Sequence, residues 1–180
     1  VVARGLRGQM ECFPVVETIQ DQGICAFVIK ADLSKNLERK CQNIAKKVIK
    51  AFGGVGVFGV EMFLDQTGDV LVNEIAPRVH NSGHITMDAC NVSQFEQHLR
   101  AVLDFPLVKP QWRTKGAAMV NILGRTATIS KIEIRSLLQP NQKIYWYGKT
   151  GNGLNRKLGH INVTGENTRR ALAEGKKLRE

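Results

Sequence analysis

Apolar residues follow two rhythms along this chain. Between Ser34 and Gly53-Gly54 they recur at helical spacing. Leu37, Cys41, Ile44, Ala45, Val48, Ile49 and Phe52 share one face, while Lys and Arg fill the other. Ser34 suits an N-cap and Gly53-Gly54 a stop, so the pattern predicts a helix with a solvated basic face. Elsewhere the rhythm is that of strands. Residues 1–4 read as the end of a strand, 5–8 as a turn, and 10–17 and 23–31 as two more strands. Gly56–Leu64 and Val70–Ala76, joined through Asp65-Gln66-Thr67-Gly68, predict a hairpin. A polar loop follows over 77–91, and Ser93-Gln94-Phe95-Glu96 is a capping box that opens a helix to about Asp104. Residues 109–115 read as a linker. Beyond it come a strand over 117–123, a helix or turn over 129–138, strands over 143–147 and 158–163, and a helix near the end. The expected class is α+β in two pieces, 1–108 and 109–180.

Composition narrows the possibilities. A chain of 180 residues with 43% hydrophobic and 23% charged residues can bury one sizeable core or two small ones. No apolar run approaches the roughly 18 to 20 residues that span a bilayer, so no membrane partner is expected. Collagen-like, coiled-coil and disordered compositions are excluded. Val1-Val2-Ala3-Arg4-Gly5 shows neither an extended apolar region nor a cleavage site, which points to the cytoplasm. Cys12, Cys25, Cys41 and Cys90 form no CxxC pair, and four reduced thiols are expected.

Charge is distributed unevenly. Residues 1–108 carry 11 basic and 12 acidic side chains, net −1; residues 109–180 carry 15 and 4, net +11. A basic C-terminal segment beside a balanced body implies an anionic partner. Lys149 and the pair Arg156-Lys157 flank a Gly/Asn loop, where clustered cations and close backbone approach suit a phosphate. The same pattern also fits a basic hairpin with a flexible loop. It fits nucleic-acid binding too, with Tyr145, Trp146 and Tyr147 as stacking aromatics.

The hairpin carries candidate metal chemistry. On its first strand Val57, Gly59, Glu61 and Phe63 share a face, and a loop with an even number of residues would put Glu74 on that face as well. Carboxylates among apolar neighbours are costly to bury unless paired or metal-bound, and such a pair can chelate Mg²⁺ together with phosphates. The bland alternative is an exposed sheet face where both meet water or lysines. The loop that follows gathers Arg78, His80, Asn81, Gly83 and His84 at an acidic strand end.

The run from Asn73 to His84, continuing through Ile85-Thr86 and from Ser93 to Leu103, closely resembles the ATP-grasp 5-(carboxyamino)imidazole ribonucleotide synthetases of purine biosynthesis. The likeness extends to Arg4-Gly5, Cys12-Phe13-Pro14-Val15-Val16-Glu17, Gly56-Val57-Phe58-Gly59-Val60-Glu61 and Met119-Val120-Asn121-Ile122-Leu123-Gly124. It continues in Trp146-Tyr147-Gly148-Lys149 and Arg156-Lys157-Leu158-Gly159-His160, and so covers nearly the whole chain.

The resemblance implies the second ATP-grasp subdomain, an antiparallel sheet with helices, followed by a small β-rich domain. It implies an ATP-dependent ligase that carboxylates aminoimidazole ribonucleotide with bicarbonate through carboxyphosphate. Glu61 and Glu74 would hold Mg²⁺ against the ATP phosphates, and Asn73 would add a nucleotide contact. Arg78 and His80 would lie where bicarbonate meets the γ-phosphate, with His84 either sharing that work or serving as loop scaffold. Lys149 and Arg156, then Lys157, would hold the ribonucleotide 5′-phosphate. Gln20 stands where the family commonly has a nucleotide-contacting His, and Ala76 leaves the metal to the two carboxylates.

By the same resemblance the chain is the C-terminal portion of the enzyme. It is expected to be inactive alone, to expose an apolar face, and to be a homodimer at full length with no nucleic-acid partner. A related alternative is formate-dependent glycinamide ribonucleotide transformylase. Its loop usually continues Asp-Thr-Gly, whereas Asn81-Ser82-Gly83-His84 and Gly159-His160 stand here and favour the carboxylating enzyme.

Overall fold

In the computed structural model, which describes residues 1–124, 138–149, 153 and 156–178, Ser34 caps the longest helix. The Ser34 hydroxyl accepts from the Leu37 N–H at 3.2 Å, α1 runs Lys35–Phe52, and the Gly53 N–H donates to the Ile49 carbonyl at 3.0 Å. The chain divides into two compact units. One comprises Val1–Val15 with Ala31–Arg113, and the other Val16–Lys30 with Thr114–Glu180.

The first unit is built on a four-stranded antiparallel sheet in the order β2-β1-β5-β6, with β1 Val2–Arg4, β2 Met10–Cys12, β5 Gly56–Leu64 and β6 Val70–Ala76. Helix α1 lays Ala45 and Ile49 onto Val2 and Phe58, and Met10, Cys12, Val48, Val60, Met62 and Ile75 close around them. Burial pushes the Cys12 and Cys41 thiols above their ordinary pKa, so neither is an activated nucleophile. None of the four cysteines is in a disulfide. The loop over 77–91 contains a 3₁₀ turn, Asn81–Gly83, and a short helix α2, Thr86–Ala89.

Helix α3, Gln94–Val102, is inside-out. Gln94, Gln97 and Ala101 are buried, while Phe95, Leu99 and Val102 are exposed. Only half of the expected capping box forms. The Ser93 hydroxyl accepts from the Glu96 N–H at 3.1 Å, but the Glu96 carboxylate pairs with Arg100 at 2.9 Å. The expected linker is structured up to Arg113. Cys90 and Trp112 form a β-bridge, the Arg113 N–H donates to the Ala89 carbonyl at 2.8 Å, and Trp112 packs with Phe13, Cys90 and Val92.

The second unit is a five-stranded antiparallel sheet, order β3-β4-β7-β9-β8, with α4 (Thr168–Lys177) packed on it. Its strands are β3 Val16–Asp21, β4 Ile24–Lys30, β7 Gly116–Leu123, β8 Gln142–Trp146 and β9 Lys157–Gly165. The expected strand over 10–17 is therefore two strands in two sheets. Pro14, with no N–H to donate, breaks the ladder between them. Strands β3 and β4 close through Gln22 and Gly23, both at positive φ (50° and 78°), as a two-residue hairpin turn requires. This hairpin pairs with β7, and so the division at 108/109 separates it from its own sheet. Ala118, Ile161, Val163 and Ala171 form the unit's core. The expected helix or turn over 129–138 lies, except for Leu138, outside the described residues, as does most of the loop over 150–155. Among the described residues no helix is long and apolar enough to cross a membrane.

Candidate active site

The hairpin of β5 and β6 places the carboxylates, by a route other than an even loop. Leu64 pairs with Val70, leaving five residues in the turn, so an unbroken ladder would set Glu61 against Asn73. The register shifts between Glu61 and Met62, and Asn73 becomes the extra residue of a β-bulge. Glu74 then pairs directly with Glu61. The turn is fixed by Asp65, whose Oδ1 accepts from the Thr67 N–H at 2.9 Å, the Thr67 hydroxyl at 2.7 Å and the Asp69 N–H at 2.8 Å. Those bonds, the Thr67 hydroxyl first, hold the Asp65 carboxyl below its ordinary pKa.

Like charges directly opposite on a ladder are unfavourable unless a cation or proton lies between them. His80 supplies a third group, its Nε2 3.3 Å from Glu61 Oε1. Ligand atoms of Glu61, Glu74 and His80 all lie within 4.8 Å of one another. Two carboxylates form a hard oxygen donor set that fits Mg²⁺, and the adjacent imidazole also admits a softer divalent ion such as Mn²⁺.

The His80 side chain is only 11% exposed, and its ring lies against the backbone of Gly59 on β5. Its Nδ1 accepts from the Ser82 N–H at 3.4 Å and lies 2.8 Å from the Ser82 hydroxyl, which leaves Nε2 facing Glu61. The amide of Gln94 holds the His80 main chain from the other side. His84, also bonded to Gln94, stacks on Phe95 with centroids 5.4 Å apart.

Glu61, Glu74 and His80 thus come together. Asn73, next to Glu74 on β6, and Arg78, in the loop that follows, are exposed, Arg78 donating to the Val79 carbonyl at 3.0 Å. Gln20 is exposed on β3, the edge strand of the second unit. Lys149, Arg156 and Lys157 lie at one end of the β8–β9 hairpin. The Lys149 ammonium sits 5.4 Å from the Tyr147 ring centroid, and the Tyr147 hydroxyl is 2.9 Å from Nδ1 of the buried His160. Tyr145 stacks on His160 at 4.7 Å, and Trp146 packs against the core. The aromatic triplet is therefore half-buried and engaged.

Sequence reasoning missed His80 as a third donor in the cluster, Gly59 as its seat, and Gln94. The available signal for Gln94 was two glutamines on one helix face with Ala101, at positions i, i+3 and i+7.

Residues 1–95, just over half of the chain, match the family model of the ATP-grasp domain. The chain belongs to the ATP-grasp family. Residues 117–174 of this ATP-grasp chain match a second model, the phosphoribosylaminoimidazole carboxylase C-terminal domain. The chain is 47% identical over 171 residues to a phosphoribosylaminoimidazole carboxylase of Candida albicans, covering 91% of this chain and 30% of the relative. It is 45% identical to an N5-carboxyaminoimidazole ribonucleotide synthase of Synechococcus elongatus, covering 91% and 42%. Among solved structures it is similar to the N5-carboxyaminoimidazole synthase of Aspergillus clavatus in complex with ADP and 5-aminoimidazole ribonucleotide. That match has a TM-score of 0.90 and 38% identity, and covers 98% of this chain and 48% of that one. The chain thus spans between 30% and 48% of the length of these three relatives.

Proposed function

We propose that this chain contributes the metal and phosphate sites of a cytoplasmic ATP-dependent ligase that carboxylates 5-aminoimidazole ribonucleotide with bicarbonate. The observation that carries the reading is the Glu61–Glu74–His80 cluster at a bulged hairpin in an ATP-grasp sheet. Glu61 and Glu74 hold Mg²⁺, which when bound neutralises charge on the ATP phosphates. Asn73, at the bulge, contacts the nucleotide. Arg78 presents a planar donor fork to bicarbonate, and His80 lies beside it.

A bicarbonate oxygen attacks the γ-phosphorus, the bond to the bridging oxygen breaks, and ADP leaves with the electron pair. Fixed cationic donors stabilise the negative charge spread over the transferring group. The exocyclic amine of the ribonucleotide then attacks the carboxyl carbon of carboxyphosphate, and phosphate departs, taking up the amine proton. Lys149, Arg156 and Lys157 hold the 5′-phosphate. Engagement of Tyr145, Trp146 and Tyr147 in the fold favours this small anion over a stacked nucleic-acid strand. At full length the enzyme is a homodimer.

The test is phosphate release from ATP by the full-length product of this gene. One arm supplies aminoimidazole ribonucleotide with bicarbonate, and the other glycinamide ribonucleotide with formate. Release in the first arm alone, lost in Glu61→Gln and Arg78→Ala, is expected. Release in the second alone would assign the chain to the transformylase instead.

A further inference from the structure

Helix α3 buries two glutamines completely, less than one turn apart. Each uses its amide as a two-way clamp on one residue's main chain. Gln94 Oε1 accepts from the His80 N–H at 2.9 Å, and its Nε2 donates to the His80 carbonyl at 2.7 Å. Gln97 does the same to Val108, accepting at 3.1 Å and donating at 2.5 Å. Buried amides destabilise a fold unless their donors and acceptors are met, and both of these are met.

The two clamps differ in what the held residue carries. Val108 presents an apolar side chain that packs beside Phe13, Cys90 and Val92. His80 presents the imidazole that reaches Glu61. Gln94 is also tied more widely into the loop. Its Nε2 lies 2.8 Å from His84 Nδ1, and its own N–H donates to the Thr86 hydroxyl at 2.9 Å. That hydroxyl donates onward to the Gly83 carbonyl at 2.6 Å. A Cβ at Gly83 would collide with the Gln94 amide, so glycine there lets the loop close over the clamp. Contacts from β5 and α3 therefore fix both ends of His80: Gly59 seats the ring, and Gln94 seats the backbone.

We infer that Gln94 is a positioning residue for the cation site: by clamping the His80 main chain it sets where the imidazole meets Glu61, and so how tightly the site holds a divalent ion. The inference rests on the reading of Glu61 and Glu74 as metal ligands. Gln97 acts as an internal control, because it has the same burial, the same helix and the same two-way clamp on a main chain, without a link to the site.

The experiment compares Gln94→Met and Gln97→Met in the whole 180-residue chain. Three quantities are measured: urea stability, Mn²⁺ affinity by electron paramagnetic resonance, and the ¹⁵N shifts of the His80 ring without metal. Both variants should lose similar stability. Gln94→Met should weaken Mn²⁺ binding by about tenfold or more, the range for residues that orient a metal ligand, and should move the His80 resonances. Gln97→Met should leave both unchanged. Equal effects of the two variants on Mn²⁺ affinity and on the His80 resonances would overturn the inference.

The metal reading fails separately, if Glu61→Gln leaves Mn²⁺ affinity unchanged; the His80 resonances then still decide the positioning claim. If Gln94→Met does not fold, Gln94→Glu replaces it. That variant keeps the acceptor for the His80 N–H and loses the donors, and unmoved His80 resonances would again overturn the inference.

Discussion

A methyl group added at Gly59 would sit 2.7 Å from Cγ and 2.8 Å from Cβ of His80, closer than atoms of a packed core tolerate. The ring cannot retreat without abandoning either Glu61 or the Gln94 clamp. Gly59→Ala is therefore expected to cost about 1–3 kcal/mol of stability, as overpacking does, and to weaken divalent-ion binding at the same time. Urea unfolding and Mn²⁺ titration of the one variant check both, and an unchanged affinity would detach His80 from the cation site. The two carboxylates were legible in the sequence as charged residues among apolar strand neighbours. Their direct opposition was not, because it depends on the bulge at Asn73, and no local pattern announces an extra residue in a ladder. His80 was legible as chemistry but not as Glu61's neighbour. Its place is set by a residue fourteen positions later, Gln94, whose side chain reads as an ordinary helix-opening polar residue.

Local signals were faithful where they were self-contained. Ser34 and Gly53 delimit α1, and the five-residue turn from Asp65 to Asp69 joins β5 to β6. The Asp65 carboxyl lies below its ordinary pKa, so its folded value is lower than its unfolded one. Its contribution to hairpin stability is then complete above the unfolded value, about 3.9, and fades as pH falls through the folded value. The Thr67 and Asp69 amide resonances should titrate together below that point, and in Asp65→Asn they should not; titration in the variant would assign the effect to another group. Helix α3 has an ordinary N-cap but reversed faces. Amphipathic reasoning buries Phe95, Leu99 and Val102, yet the glutamines bury themselves by bonding to main chain that the sequence does not show to be nearby. Leu99 and Leu103 are each 57% exposed. Replacing both by Lys should change stability by no more than about 0.5 kcal/mol per site while raising solubility. A larger loss on thermal unfolding would mean that this face is packed.

The hairpin of β3 and β4 decides how the chain partitions. By sequence order it belongs with the first hundred residues, and the charge distribution and the linker read over 109–115 both place a boundary after Val108. By hydrogen bonding it belongs to the second sheet, where Phe27, Val28 and Ile29 pair with Val120, Met119 and Ala118. The clue lay in composition: Ala26-Phe27-Val28 is a continuous apolar run, and such a run demands cover on both faces, which only a strand inside a sheet receives. All three are buried. Removing them from β7 would forfeit roughly 3–6 kcal/mol for Phe27 and Val28 alone, a large part of the 5–15 kcal/mol that holds a typical domain. It would also leave β7 as an unpaired apolar edge, prone to association. Residues 109–180 produced alone should therefore be unfolded or aggregated. Residues 16–30 joined by a flexible linker to 114–180 should give a cooperative unfolding transition by circular dichroism. If the 109–180 piece folds cooperatively without the hairpin, the boundary at 108/109 is a true domain boundary and β3–β4 is an accessory to it. If only the rejoined piece folds, this hairpin is an integral part of the second unit, although the sequence places it in the first.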